Sequence, residues 1–155
     1  MRTLFCKIFA LNKTKMKKHI TTSIVIKAPK KNVWDVLMDF EKYPEWNSFI
    51  TSISGKPIVG NQLSATIQKM KFKPIVLISE PNQELKWIGK LFIKGLFDGE
   101  HRFHLSEDKE GNTIFEQSEF FSGILVKLFS KGLDKNTKTG FDRMNKELKK
   151  RAESI

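Results

Sequence analysis

The chain is poor in the residues that would settle a function at sight. Its single cysteine, Cys6, excludes an internal disulfide framework and a cysteine-rich zinc site. Three histidines spread over 155 residues give no metal-ligand cluster. There is no glycine-rich phosphate loop and no Gly-x-Ser-x-Gly elbow. No apolar run approaches the roughly 20 residues a membrane span needs. Tyrosine is also scarce, one against 13 Phe and 3 Trp. Rings without polar tips suit an apolar interior or a cavity wall better than a wet binding surface.

What is present describes a single globular domain. Hydrophobic residues make up 39% and charged residues 29% of the chain, outside the composition of disordered proteins. The net charge of +11 is unevenly placed. Residues 1–18 hold six basic residues and no acid, residues 124–155 carry nine basic against four acidic, and residues 19–123 hold thirteen of each. A groove that tracks phosphates places its cations on the folded body among aromatics, so specific nucleic-acid binding is not expected. Residues 1–18 form a basic extension, expected to be disordered, ahead of a domain over 19–155. The other readings of that extension are a weak amphipathic contact with a membrane surface and an upstream addition to a chain starting at Met16. The stretch lacks the unbroken apolar core and cleavage site of a secretory signal, and a cytoplasmic location is expected.

From residue 19 the pattern is regular. Residues 19–27 alternate as a strand ending at Ala28-Pro29, and Val33, Trp34, Val36, Leu37 and Phe40 give the following helix one apolar face. Lys30 and Lys31 oppose its dipole, so packing must hold it. A turn or short helix with Tyr43 and Trp46 follows. Strands are then expected over 49–56, 62–70, 72–80, 85–93, 97–106 and 113–122, with turn chemistry at Pro81-Asn82-Gln83 and Lys109-Glu110-Gly111-Asn112. With the first strand these make one seven-stranded, mostly antiparallel sheet. A long helix over 124–151 closes the chain, with Leu125, Leu128, Phe129, Gly132, Leu133, Thr137, Gly140, Phe141, Met144 and Leu148 in one stripe. Each glycine on that stripe costs about 1 kcal/mol relative to alanine. The offset is either close packing on the sheet or space left for a ligand.

This order resembles the helix-grip fold of the START and birch-pollen-allergen-like (SRPBCC) superfamily, and the motifs are similar to those of its polyketide cyclase/dehydrase and lipid-transport family. The resemblance rests on Ala28-Pro29 with Val33-Trp34, Asp39-Phe40 leading into residues 43–50, Trp87-x-Gly89, His101-x-Phe103-x-Leu105, residues 119–125, and Gly140-Phe141 with Met144-Asn145. It covers about residues 20–152. It implies an α+β domain whose curved sheet wraps around the last helix, and an internal apolar cavity for a lipid, polyketide or other hydrophobic molecule, without fixing a reaction. No cofactor or metal is expected.

Alternation picks the wall of such a cavity. If Trp87 faces inward, so do Leu85, Gly89, Leu91 and Ile93; on the next strand Phe97, Gly99, His101, Phe103 and Leu105; and on the last Thr113, Phe115, Gln117, Glu119 and Phe121. With Trp46 near the mouth and Phe129, Leu133, Gly140 and Phe141 from the helix, the candidate ligand-binding set is Trp46, Trp87, Gly89, Leu91, Phe97, His101, Phe103, Phe115, Gln117, Glu119, Phe129, Leu133, Gly140 and Phe141. A buried carboxylate needs a partner, and His101 is the natural one for Glu119. Three roles are open to that pair: mutual satisfaction within the architecture, contact with a ligand's polar head, or general acid–base chemistry. His104 falls on the opposite face from His101, so the two cannot share a metal simply. The functional readings are a carrier or sensor of a hydrophobic molecule, a cyclase/dehydrase-type enzyme using His101 and Glu119, and a membrane-associated lipid-transfer or accessory protein.

Overall fold

The computed structural model describes residues 16–91 and 97–155. Its elements run β1 (Met16–Ile26), α1 (Lys30–Met38), a 3-10 turn (Phe40–Lys42), α2 (Tyr43–Trp46), β2 (Ile50–Ser54), β3 (Ser64–Ile67), β4 (Met70–Phe72), β5 (Ile75–Glu80), β6 (Glu84–Leu91), β7 (Phe97–Glu107), β8 (Thr113–Gly123) and α3 (Val126–Ala152). The expected single seven-stranded sheet is replaced by two. A five-stranded antiparallel sheet has the order β1-β8-β7-β6-β5, and a three-stranded one has the order β2-β3-β4. The expected strand over 72–80 is broken at Pro74. Proline offers no N–H to a ladder, so one run becomes the end of β4 and the start of β5. Backbone bonds from Leu63 N–H to the Pro74 carbonyl and from Val76 N–H to Asn61 still tie the two sheets together. The first strand also starts earlier than expected. Met16, Lys17 and Lys18 pair with Gly123, Ser122 and Phe121, so only residues 1–15 of the expected extension remain, and they lie outside the described residues.

Local chemistry explains the joints. Lysines at its start and Pro29 at its cap leave α1 without a capping side chain, and it is held by burial of Val33, Trp34, Val36 and Leu37. Asn47 bridges α2 to β2, its Oδ1 accepting from the N–H of Phe49 and of Ile50 at 3.0 and 2.8 Å. The β7–β8 turn is fixed by Asp108, whose Oδ1 accepts from the N–H of Glu110 and Asn112, with Gly111 at φ +81°. The β3–β4 hairpin instead turns through Gln68 and Lys69, both at positive φ, a conformation that costs most residues some strain.

Helix α3 lies against β1 and β8 and touches α1. Thr137, Gly140, Phe141, Met144, Asn145, Leu148 and Ala152 form its buried face, and Asn145 Nδ2 donates to Thr22 Oγ1 on β1 at 2.9 Å. The two helix glycines differ. A side chain at Gly140 would overlap the ring of Phe49, whereas Gly132 is exposed and faces open space. Close packing therefore accounts for Gly140, and Gly132 does not belong to the buried stripe.

On the outer face of the five-stranded sheet, charges are paired across strands. Arg102 bonds Glu84 at 2.8 Å and Glu116 at 3.0 Å, and Lys86 meets Glu100 at 2.6 Å. The Arg102 hydrogen bond holds the Glu84 carboxyl below the ordinary carboxylate range, against the opposing effect of burial.

Two predictions follow from the packing and the charges. Gly140→Ala will destabilise by about 1–2 kcal/mol, because overpacking against the buried Phe49 ring outweighs a helix-propensity gain of about 1 kcal/mol. Gly132→Ala, with nothing to strike, will stabilise by up to about 1 kcal/mol. Urea melts of the two variants check both signs. The second concerns pH: a depressed folded-state pKa means Glu84 contributes stability in full above the unfolded value near 4.5 and loses it as pH falls through the folded value. Glu84→Gln should therefore flatten the acid limb of a stability–pH profile, measured as urea midpoints from pH 7 to pH 3.

Candidate functional site

Between the two sheets lies a cavity of about 120 Å³. One wall comes from the inner face of the five-stranded sheet: Trp87 and Gly89 of β6, Phe97, Gly99 and His101 of β7, and Glu119 and Phe121 of β8. The facing wall is built by Phe49, the β3–β4 hairpin with Ile67, Gln68, Met70 and Phe72, and Pro74, with Thr137 of α3 beside it. Gln68 anchors the hairpin twice. Its N–H donates to the Phe49 carbonyl at 3.1 Å, and its Nε2 donates to the Asn136 carbonyl on α3 at 3.3 Å.

Alternation correctly placed His101 and Glu119 together. They stand opposite each other on β7 and β8, and Nδ1 of His101 donates to Oε2 of Glu119 at 2.5 Å. His101 is 2% exposed, whereas the Glu119 side chain is 13% exposed and reaches the cavity. The imidazole stacks on Trp87 with centroids 4.9 Å apart and an interplanar angle of 11°, and meets Phe103 and Phe141 edge-on. On its other nitrogen, Nε2, it faces the amide Nε2 of Gln117 at 3.3 Å, and the same amide nitrogen lies 3.4 Å from Met144 Sδ. His104 points away, 3.4 Å from Glu84 on the outer side. Among the described residues no group of three His, Cys, Asp or Glu side chains gathers as a metal site.

Several sequence candidates lie elsewhere. Phe103, Phe115, Gln117 and Phe141 share the inner side but are completely buried, because Phe141 and Met144 of α3 press onto the sheet there and close the space. They form a second layer behind the cavity rather than its wall. Gly140 is covered by Phe49. Trp46 packs edge-on against Tyr43 and borders a separate surface cleft with Glu45, Glu147, Lys150 and Arg151. The side chains of Leu91, Phe129 and Leu133, with Phe92 and Ile93, lie outside the described residues. The facing wall was missed altogether. Its short strands gave a pattern too brief to show which sheet they join, although Pro74 signalled the break between β4 and β5.

The fold has counterparts among known proteins. Solved structures with the same fold include a Mesorhizobium loti protein (TM-score 0.66, 18% identity, covering 89% of this chain and 98% of that one). A hypothetical protein of Helicobacter pylori matches with TM-score 0.75 and 13% identity over 87% of this chain and 88% of its own. A point mutant of a Thalictrum norcoclaurine synthase, in complex with a transition state analogue, matches with TM-score 0.65 and 13% identity over 87% and 96%. At these identities the likeness is one of fold. No curated protein matches the chain by sequence. No helix among the described residues is long and apolar enough to cross a membrane. The family model for polyketide cyclase / dehydrase and lipid transport matches residues 17–153, and with the match spanning nearly the whole chain, the protein belongs to that family.

Proposed function

We propose that the chain binds a hydrophobic small molecule in the cavity between its sheets, as a carrier or sensor. The observation that supports this best is the composition of the wall: five Phe and Trp rings, with Ile67, Met70 and Pro74, surround a space into which one carboxylate reaches. Ligand sites are commonly apolar walls with few polar groups that set orientation. The size narrows the ligand. About 120 Å³ is comparable with the roughly 150 Å³ that suffices for benzene, so the cavity as it stands suits one small ring system rather than a whole phospholipid.

The His101–Glu119 bond favours a second reading, a cyclase/dehydrase-type enzyme. A short bond between an imidazole and a carboxylate that opens onto the cavity gives a proton donor and acceptor beside any bound molecule. Under that reading turnover depends on pH and is lost in Glu119→Gln.

Native mass spectrometry of the purified protein, followed by solvent extraction, tests binding. A stoichiometric non-covalent adduct is the expected result. A clean apo mass with no uptake from a mixture of small aromatic and lipid compounds would overturn the binding reading. Stability measurements separate the pair's structural role: Glu119→Ala leaves the buried His101 Nδ1–H without an acceptor and should cost about 1–3 kcal/mol. Glu119→Gln keeps an acceptor oxygen in place and should cost clearly less, by urea denaturation.

A further inference from the structure

The wall of the cavity also carries information about the charge of its ligand. The chain has 28 Lys and Arg residues and a net charge of +11, yet among the described residues none of them lines this space, and the one carboxylate there is Glu119. The two oxygens of that carboxylate are used differently. Oε2 takes the His101 proton donor, while among the described residues no donor reaches Oε1. Oε1 lies over Gly99, where a Cβ would overlap it, and Gly99 itself lines the cavity. A carboxylate oxygen in apolar surroundings without a donor is costly to keep ionised, so a matching donor on the ligand is strongly favoured.

The charge of the pair follows from the layer behind it. The side of the Gln117 amide that faces His101 Nε2 also faces the Met144 sulfur. A thioether has no hydrogen to give, so the amide NH2 belongs on that side and donates to both. His101 Nε2 is then an acceptor, the ring carries one proton, on Nδ1, and it is neutral. The pair presents one negative charge toward the cavity, and no cation among the described residues that line it offsets that charge. Around it stand Trp87, Phe97, Phe121, Phe72 and Phe49, whose ring faces attract cations.

We infer that this cavity selects a small apolar molecule bearing a primary ammonium group, which donates to Glu119 Oε1 and neutralises the pair. This rests on the reading of the cavity as a ligand site. It disfavours fatty acids and other carboxylates, whose head would lie against Glu119 with like charge unless it first took up a proton. A neutral alcohol supplies a donor but leaves the charge uncompensated.

Three probes of equal size and different heads test it: cyclohexylmethylamine, cyclohexylmethanol and cyclohexanecarboxylate, titrated by calorimetry at pH 7 into the full chain. The amine should bind more than about tenfold tighter than the alcohol, and the carboxylate weakest, in line with the strength of charge-assisted hydrogen bonds. In Glu119→Gln the amine should fall to the affinity of the alcohol, while the alcohol is little changed. A carboxylate that binds as well as the amine overturns the inference, as does an amine preference that survives Glu119→Gln. Equal binding of amine and alcohol overturns the head-group assignment and leaves the cavity reading standing; binding of none of the three overturns both. The order of the three is read on the unaltered chain and stays decisive if the variant unfolds.

Discussion

The ring of Phe141 is the point on which helix, sheets and site all depend. It is completely buried on α3 and meets the His101 imidazole edge-on at 5.3 Å and the Phe49 ring edge-on at 5.3 Å. One side chain thus fixes how closely the helix approaches the five-stranded sheet, how the segment entering β2 packs beneath it, and how far the imidazole can tilt. Gly140, the residue before it, makes this possible by leaving room for Phe49. Edge-to-face contacts of this kind add to the burial of large apolar area, and here they join segments nearly a hundred residues apart.

From that contact the interior divides in two. On the side where Phe141 and Met144 descend, Phe103, Phe115 and Gln117 are sealed and the core is closely packed. Toward the β3–β4 hairpin the helix residue that lines the cavity, among the described residues, is the smaller Thr137. His101 sits at the boundary, buried against the packed layer, and Glu119 extends from it into the open part. The pair is both a piece of the core and the polar end of the cavity, so its structural and functional roles are two sides of one geometry.

Much of this was legible in the sequence because it depends on local repeats. Period-two alternation put Trp87, His101 and Glu119 on one face, and the turn chemistry at 109–112 set the β7–β8 register that brings the last two together. The element order pointed to the fold and the short motifs to the family, which the match over residues 17–153 bears out. What could not be read depends on contacts between segments distant in the chain. Nothing in Ile67, Met70 or Phe72 alone indicates that a three-residue strand folds across the cavity. The sealing of Phe103 and Phe115 depends on where α3 comes down, which periodicity does not give. The two glycines show the limit most plainly: eight residues of helix rotate by about 80° beyond two full turns, so Gly132 and Gly140, placed on one stripe by spacing, look in different directions.

Gly99 shows how the strand itself is adapted to the pair. A glycine inside a strand loses packing and more backbone entropy than other residues, and this one stands in a long central strand beside Phe97 and His101, where a β-branched residue would suit the sheet better. Its place is explained by Glu119: any Cβ there would overlap Oε1. Without that space the carboxylate would have to turn away from β7, and its bond to His101 would be lost or its free oxygen driven from the cavity. The strand therefore gives up a side chain at the one position where doing so lets a single carboxylate hold a buried imidazole with one oxygen and keep the other at the wall of an apolar cavity.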